Sequence, residues 1–291
     1  MADSDTLQRF LFENAAIRGE LVRLDATWRA VLSRHEYPEP LARMMGEMMA
    51  AGALLAATLK FNGTLIMQIQ GTGPVRLVVV ECTAGFALRA TAKWDGDLSN
   101  WDFSSLVGDG KFAITLDPKD GGNTYQGVVE LAGNSVAQAL EHYMERSEQL
   151  GTRLVLVADA SLACGLLLQK LPEGMSEDAD AWNRVTQLAA TLSAEELLKL
   201  PFTEIVHRLF HEEDVRIFEP QPVHFECSCS RERVSGMLRM LGLDEVRSIL
   251  AEQGQVEVGC EFCNQRYLFD AVDAEQLFAA EVVTRAGTTR H

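Results

Sequence analysis

The chain has 291 residues, of which 47% are apolar and 23% are charged, a composition typical of a folded globular protein. Acidic side chains outnumber basic ones by 42 to 26, and the net charge of −16 argues against partners such as nucleic acid or an anionic membrane surface. The longest apolar run, residues 48–59, is shorter than the ~20 residues that a membrane span needs. The acidic N-terminus lacks the basic flank and apolar segment of a secretory signal, so we expect a cytoplasmic protein.

Residues 1–171 combine strand and helix patterns. Short apolar runs bounded by turn residues predict strands at 17–24, 63–70, 75–81, 111–116, 125–131, 153–158 and 164–170. Helical spacing predicts a short helix that Asp25 caps with its side chain, a long buried helix at 41–59 and a further helix at 135–149. Because strands outnumber helices and short turns join several of them, we predict an α+β fold with a largely antiparallel sheet.

The middle of the chain is acidic and amphipathic. Residues 172–226 carry 4 basic and 12 acidic side chains, a net charge of −8. A capping box is predicted between Ser193 and Glu196. Apolar residues recur at helical spacing: Trp182, Val185, Leu188, Ala189, Leu192, Leu197, Leu198, Ile205, Val206, Leu209 and Phe210. Because helices this short are marginally stable alone, we expect them to be docked on the N-terminal sheet.

Proline-containing turns divide the chain. One such turn begins at Pro172, and Pro220 and Pro222 exclude a helix at the far end of the acidic stretch. We therefore predict an N-terminal domain at 1–171, a helical linker at 172–222 and a small C-terminal domain at 223–291.

Four of the six cysteines form two closely spaced pairs near the C-terminus, Cys227 with Cys229 and Cys260 with Cys263. Two thiolate pairs can complete a tetrahedral Zn²⁺ site, and so small a domain would take much of its folding free energy from the metal. His224 could replace one ligand, although an ordinary turn histidine is the simpler interpretation. The spacing leaves two functions open, a permanent structural staple and a switch that loses its metal on oxidation.

Other candidate groups indicate structure rather than catalysis. Cys82 and Cys164 are expected to pack in the core, and His35 and His142 are isolated histidines. Arg231 and Arg233, which follow the first cysteine pair, could favour the thiolate form of its members. A disulfide reductase would place its C-x-x-C at the start of a helix, whereas Cys260–Cys263 lies between strand-like segments. We therefore do not expect an enzyme.

At these motifs the sequence resembles the 33 kDa heat shock protein family, also called 33 kDa chaperonins, which are redox-regulated holdase chaperones. The resemblance covers nearly the whole chain and departs from the family pattern at Arg89-Ala90, where members often carry Arg-Gly. The matching motifs are Ile17-Arg18-Gly19-Glu20, His35-Glu36-Tyr37-Pro38, Gly46-Glu47, residues 54–61, Gln68-Ile69-Gln70-Gly71-x-Gly73-Pro74, Cys227-x-Cys229, Cys260-Glu261-Phe262-Cys263-Asn264 and Tyr267-x-Phe269-Asp270.

The resemblance implies an ATP-independent chaperone that holds unfolding proteins and is not a catalyst. In the reduced state, one Zn²⁺ per chain would bind Cys227, Cys229, Cys260 and Cys263, and the protein would be inactive. Oxidation would form the disulfides Cys227–Cys229 and Cys260–Cys263, release the zinc and unfold the linker. The N-terminal domain would then bind client proteins and form a homodimer. The alternative is a structural zinc-ribbon protein that binds a fixed partner.

Overall fold

The computed structural model of the protein describes residues 4–99, 102–172, 178 and 180–287. The chain divides into two compact units, with the boundary between Glu226 and Cys227. Helices and largely antiparallel strands are combined in the fold, which confirms the predicted α+β class. The two paired cysteine motifs both lie in the second unit.

The first unit alternates strands and helices along the chain. Its strands are β1 (Thr6–Phe12), β2 (Ile17–Leu24), β3 (Gly63–Gln70), β4 (Val75–Thr83), β5 (Ala87–Trp94), β6 (Lys111–Pro118), β7 (Tyr125–Glu130), β8 (Thr152–Ala158), β9 (Ala163–Lys170), β10 (Val215–Ile217), β11 (Gln221–Pro222) and β12 (His224–Phe225). Its helices are α1 (Ala26–Leu32), α2 (Glu39–Thr58), α3 (Phe103–Val107), α4 (Val136–Tyr143), α5 (Ala181–Ala189), α6 (Ala194–Lys199) and α7 (Phe202–Phe210). A π-helical turn, Met144–Glu148, continues α4.

Two sheets organise these strands. The first sheet has the order β10-β1-β2-β9-β8, with β11 also paired to β1, and the second has the order β12-β5-β4-β3-β6-β7. Neighbouring strands are antiparallel except β12, which runs parallel to β5. The strands predicted in residues 1–171 are all present: two match at both ends, and the other five differ at one end by one or two residues.

Helix α2 is the predicted long buried helix, and it packs against strands of both sheets. Its methionines Met44, Met45, Met48 and Met49 are all buried, as expected for core residues. The helix approaches the first sheet closely at Gly46, where a Cβ atom would lie 2.5 Å from Cβ of Ala158. Any larger residue at that position would push the helix away from the sheet.

The predicted side-chain cap of helix α1 is wrong. Asp25 occupies the N-cap position, but its side chain makes no capping hydrogen bond. The carboxylate of Asp5 instead accepts hydrogen bonds from the backbone N–H groups of Asp25, Ala26 and Thr27, at 2.9–3.0 Å. A distant acidic residue therefore satisfies the orphan donors that the local sequence leaves open.

Helices α5, α6 and α7, hereafter the linker helices, cover the face of the first sheet that α2 leaves free. The predicted docking is confirmed, and so is the capping box, in which the side chains of Ser193 and Glu196 satisfy each other's backbone N–H groups. The shared core contains these buried residues: Phe10, Phe12, Ile17, Leu21, Cys164, Leu166, Leu168, Ala181, Val185, Ala189, Leu192, Leu197, Phe202, Ile205, Val206, Leu209 and Phe210.

The second unit has its own small core. Its elements are α8 (Arg231–Leu241), α9 (Leu243–Gln253), β13 (Val256–Gly259), β14 (Arg266–Phe269) and α10 (Ala271–Gly287). Strands β13 and β14 form an antiparallel hairpin, and helices α8 and α9 follow one another with Gly242 between them. The core consists of Leu238, Val246, Val256, Phe269, Ala274 and Leu277. Because this core buries little apolar area, a bound metal could supply a large part of the folding free energy of the second unit.

Candidate metal centre

The four paired cysteines converge at one point of the second unit. Cys227 and Cys229 lie in the segment before α8, and Cys260 and Cys263 lie in the turn that joins β13 to β14. Their Sγ atoms are all within 4.8 Å of one another. Two of the contacts join the two motifs, with Sγ–Sγ distances of 3.6 Å from Cys227 to Cys260 and 3.3 Å from Cys229 to Cys263. Within the part of the chain that the structure describes, this is the one cluster of His, Cys, Asp or Glu with such geometry.

The turn between β13 and β14 fixes the second motif. The backbone N–H of Cys260 donates to the carbonyl of Gln265 at 2.9 Å, and the N–H of Asn264 donates to the carbonyl of Cys260 at 2.8 Å. Asn264 adopts a positive φ of 58°, a conformation that asparagine tolerates better than most residues. The reversal places both sulfurs on the same side of the hairpin end.

The start of helix α8 fixes the segment after the first motif. Ser230 is the N-cap residue, and its Oγ accepts a hydrogen bond from the backbone N–H of Arg233. The side chain of Arg233 donates to Oγ of Ser228 at 2.6 Å, which ties the residue between the two cysteines to the helix. The Cys-x-Cys segment is thereby held against the first turn of α8.

Crowding and burial oppose ionisation of these thiols when no cation is present. Burial raises the pKa of Cys260 and of Cys263 above the ordinary thiol value, and the neighbouring sulfurs raise that of Cys263 further. Backbone N–H groups of Phe262 and Cys263 act in the opposite direction on Cys260. Thiolates collected so closely need a positive charge among them to remain ionised.

The donor set and its geometry fit zinc. Four sulfurs at ~2.3 Å from one ion, in tetrahedral arrangement, would be ~3.8 Å apart. The distances of 3.6 and 3.3 Å lie slightly below that value, and all four sulfurs lie within 4.8 Å of one another. Four thiolates around Zn²⁺ form a common structural site, whereas hard cations such as Mg²⁺ and Ca²⁺ prefer oxygen ligands. The four cysteines could thus hold a soft metal ion without large movement.

Tyr267 is a functional candidate for which sequence reasoning gave no role beyond a family motif. It lies in β14, and its hydroxyl donates a hydrogen bond to Sγ of Cys229 at 3.1 Å. That hydrogen bond, with desolvation and the nearby cysteines, raises the pKa of Tyr267 to about 12. Nothing in the spacing of the residues indicates this contact, because Tyr267 and Cys229 are 38 residues apart and meet only when the segment before α8 lies near β14.

The arginines expected to favour thiolates have other partners. Arg231 pairs with Asp273 at 2.8 Å, donates to the carbonyl of Leu268 at 2.8 Å and lies over the ring of Phe269. Arg233 donates to Ser228, as described above. Their contacts join α8 to β14 and to the Cys-x-Cys segment, and in that way they support the position of the cysteines.

The remaining candidates lie in the first unit. His224 belongs to β12, with its Nε2 3.3 Å from a carboxylate oxygen of Glu226, and the metal-type cluster consists of the four thiols alone. Cys82 and Cys164 are buried in the core, as predicted, and burial raises their pKa values to about 12 and about 11. Neither thiol is poised for oxidation. Among the helices in the described residues, none combines the length and apolarity required to cross a membrane.

Fold and site together define a class of protein: an α+β unit carrying docked helices, followed by a small unit built around four cysteines able to hold a metal ion. The chain belongs to the Hsp33 protein family, whose family model matches residues 5–270. It is 56% identical to the 33 kDa chaperonin of Chromobacterium violaceum, over 100% of this chain and 99% of the relative. It is 52% identical to the 33 kDa chaperonin of Methylobacillus flagellatus, over the full length of both.

A solved structure has the same fold. The crystal structure of the 33 kDa chaperonin from Thermotoga maritima matches with a TM-score of 0.83 and covers 96% of this chain and 99% of its own. At 21% identity, that likeness supports the architecture alone. The family assigned from the sequence motifs is confirmed.

Proposed function

We propose that this protein is a redox-regulated, ATP-independent holdase chaperone of the cytoplasm. The observation that carries the proposal is the combination of an oxidisable four-cysteine cluster with amphipathic helices docked on an apolar sheet face. Membership of a family whose relatives are named 33 kDa chaperonins supports the chaperone class. We propose no catalytic reaction for the chain.

In the reduced state, we assign one Zn²⁺ per chain to Cys227, Cys229, Cys260 and Cys263. A bound Zn²⁺ would keep all four sulfurs as thiolates and would join the two motifs. The small core of the second unit supports this assignment, because few apolar side chains are available to stabilise the unit without a metal.

Oxidation would convert the four ligands into two disulfides. For each disulfide, two thiolates would give up two electrons to one peroxide molecule, two protons would come from the solvent, an S–S bond would form, and two water molecules would leave. We assign the pairs Cys227–Cys229 and Cys260–Cys263 on the resemblance to the family. Disulfide sulfurs are poor metal ligands, so metal binding and the order of the second unit would be lost together.

We assign a role to each segment on the resemblance to the family, and its packing and charge support the assignment. Residues 223–291 would act as the redox switch, and residues 172–222 as the linker that responds to it. Residues 1–171 would bind clients and form the homodimer in the oxidised state. The apolar faces of the linker helices and of the first sheet would be exposed when they separate, and exposed apolar surface is what an unfolding client contacts. The net charge of −16 supports a protein partner rather than nucleic acid or membrane.

The test compares reduced protein with peroxide-treated protein. Zinc content is measured by elemental analysis, released zinc by a chromogenic chelator, and chaperone activity by light scattering of a thermally unfolding client. We expect one zinc per reduced chain, peroxide-dependent release, and suppression of aggregation only after release. A protein that retains its zinc at peroxide doses that modify exposed thiols, and never suppresses aggregation, would instead be a structural zinc-ribbon protein.

A further inference from the structure

The hydroxyl of Tyr267 is positioned by the hairpin rather than by the thiol that it contacts. Tyr267 pairs with Val258 in the β13–β14 register, and both side chains pack against the core of the second unit. The neighbouring residues Leu268 and Phe269 are anchored by Arg231. A half-buried ring fixed on these sides holds its hydroxyl 3.1 Å from Sγ of Cys229 with little freedom to turn away.

The strength of this hydrogen bond depends on the oxidation state of the sulfur. A hydrogen bond to an ionised acceptor is roughly twice as strong as one between neutral groups. The neutral sulfur of a sulfenic acid or a disulfide is a weak acceptor. The phenol therefore stabilises the thiolate of Cys229 more than any oxidised form of it.

We propose that Tyr267 is a positioning residue that holds Cys229 in its reduced, metal-binding state and so raises the oxidant dose needed to oxidise the centre. This inference rests on the proposed redox function of the cluster. Removing a group that hydrogen-bonds to a metal ligand typically lowers metal affinity or activity about 10- to 100-fold. A phenol-to-sulfur bond belongs at the lower end, and we expect up to about tenfold.

Tyr267 keeps its proton throughout the oxidation. A thiolate of the cluster attacks one oxygen of peroxide, the O–O bond breaks, a sulfenic acid forms, and the departing hydroxide takes a proton from the solvent to become the first water. A second thiolate then attacks the sulfenic sulfur, the S–S bond forms, and the departing hydroxide takes a proton from the solvent to become the second water. Two electrons pass from the two sulfurs to peroxide. In the first step, an attack by Cys229 must weaken the bond from Tyr267, and that loss adds to the barrier.

Substitution can isolate this contact because a side chain supplies it. The hydrogen bonds to Cys260 come from backbone N–H groups of Phe262 and Cys263, which no substitution removes cleanly. Tyr267→Phe deletes one oxygen atom and keeps the ring that packs on the core. The matched control is Tyr125→Phe in the first unit, which deletes an exposed hydroxyl bonded to Glu148.

The experiment measures zinc release from the reduced, zinc-loaded full chain at a fixed peroxide concentration. We expect release about three- to tenfold faster in Tyr267→Phe than in the wild type, and unchanged in Tyr125→Phe. With Co²⁺ in place of zinc, the sulfur-to-cobalt absorption band should shift in Tyr267→Phe only, a readout that requires no chaperone activity. Equal release rates and identical cobalt spectra in the wild type and Tyr267→Phe would overturn the proposal.

Site-specific 3-fluorotyrosine at position 267 separates a hydrogen-bonding role from a packing role. The fluorinated phenol is a stronger hydrogen-bond donor than that of tyrosine and has nearly the same shape, so peroxide should release zinc more slowly than in the wild type. Release as fast as in Tyr267→Phe would contradict the proposal, even if Tyr267→Phe were poorly folded. Failure of the proposed function has a different signature, because the wild type itself would then bind no zinc or keep it under peroxide.

Discussion

Cys260 meets two requirements at once, since it is both a candidate ligand and part of the turn that closes the β13–β14 hairpin. Cys260→Ser should weaken metal binding by orders of magnitude and loosen the second unit, because metal binding and folding form one equilibrium in so small a unit. Zinc content and the thermal melting profile of the reduced protein measure both effects. Full zinc content with an unchanged melting profile would contradict the assignment.

Cys164→Ser is the matched control for that substitution. Cys164 is buried in the core shared by the first sheet and the linker helices, outside the cluster. Placing a hydroxyl there should lower the stability of the first unit by about 1–3 kcal/mol and leave the zinc content unchanged. Loss of zinc in both variants would show that the effect of Cys260→Ser is not specific to the cluster.

Glu20 is a buried carboxyl group in the first sheet. It is 1% exposed, and its Oε2 has no hydrogen-bond partner among the described residues. Burial raises its pKa to about 8, against the opposing effects of Arg18 and Arg9. The folded protein therefore keeps a proton on Glu20 at pH values where the unfolded chain has released it.

The sign of the pH dependence follows from that difference. The protonated carboxyl of Glu20 makes its full contribution to the free energy of unfolding below ~4.3, the pKa of glutamate in the unfolded chain. That contribution is lost as the pH rises toward 8, the pKa in the folded protein. Glu20→Gln should raise the free energy of unfolding at pH 8 by roughly 2–4 kcal/mol. It should also make the fall of that free energy between pH 5 and 8 less steep. Glu47, with a pKa raised by burial to about 7, will preserve part of the decline.

Urea unfolding of the wild type and Glu20→Gln at pH 5.5, 7 and 8 tests this prediction. The exposed Glu130 on the edge strand β7 provides a control, and Glu130→Gln should leave the pH dependence as it is in the wild type. Parallel stability curves for the wild type and Glu20→Gln across this range would be the contrary result.

Residue roles were predictable where the partner is close in sequence. Ser193 and Glu196 are three residues apart, so the capping box follows from local geometry, and the thiol cluster follows from paired spacing. The cap of α1 did not follow, because Asp5 reaches it only through the pairing of β1 with β2. The contact of Tyr267 with Cys229 likewise did not follow, because it joins residues 38 apart in the chain.

At the scale of elements, Arg23 is the main polar attachment between the first sheet and the linker helices. From β2, its guanidinium donates to the backbone carbonyls of Leu197 at 3.1 Å and Leu200 at 2.7 Å, at the end of α6. It also lies 5.4 Å from the ring centre of Phe202 at the start of α7. One side chain thus holds the junction of two short helices.

Arg23→Met should release that junction. It keeps an apolar stem but removes both donors, which should lower the stability of the docked helices by about 1–3 kcal/mol. Hydrogen exchange of the reduced protein should become faster in α6 and α7, and the peroxide dose for client binding should fall. Arg76→Met is the control, since Arg76 forms exposed bonds with Asp95 and Thr72 in the second sheet. Unchanged exchange in α6 and α7 would show that apolar packing alone holds them.

Elements with strong periodicity or turn signals were predictable, and others were not. Helix α2 and strands β3 and β4 carry long apolar runs, and the structure confirms them. Strand β5 is rich in alanine, which favours helix over strand, and it is ordered by its pairing with β4. Strand β10 has only three residues, and it exists because β1 provides an edge. Contacts with the rest of the fold therefore determine the secondary structure of such segments.

At the scale of the whole molecule, the segment that ends the first unit is held by backbone hydrogen bonds. Strand β11 pairs with β1 of the first sheet, and β12 pairs with β5 of the second. Between them, Val223 is buried and its N–H donates to the carbonyl of Asp5. The chain therefore leaves the first unit from an anchored strand directly before Cys227.

The central claim is that oxidation of the four cysteines undocks the linker helices. Hydrogen exchange of the reduced and peroxide-oxidised full chain, read by mass spectrometry, tests it most directly. We expect exchange across residues 180–217 to become fast after oxidation, while strands β2, β3 and β4 stay protected and the oxidised protein suppresses client aggregation. A linker equally protected in both redox states, in an oxidised protein that still suppresses aggregation, would contradict the claim.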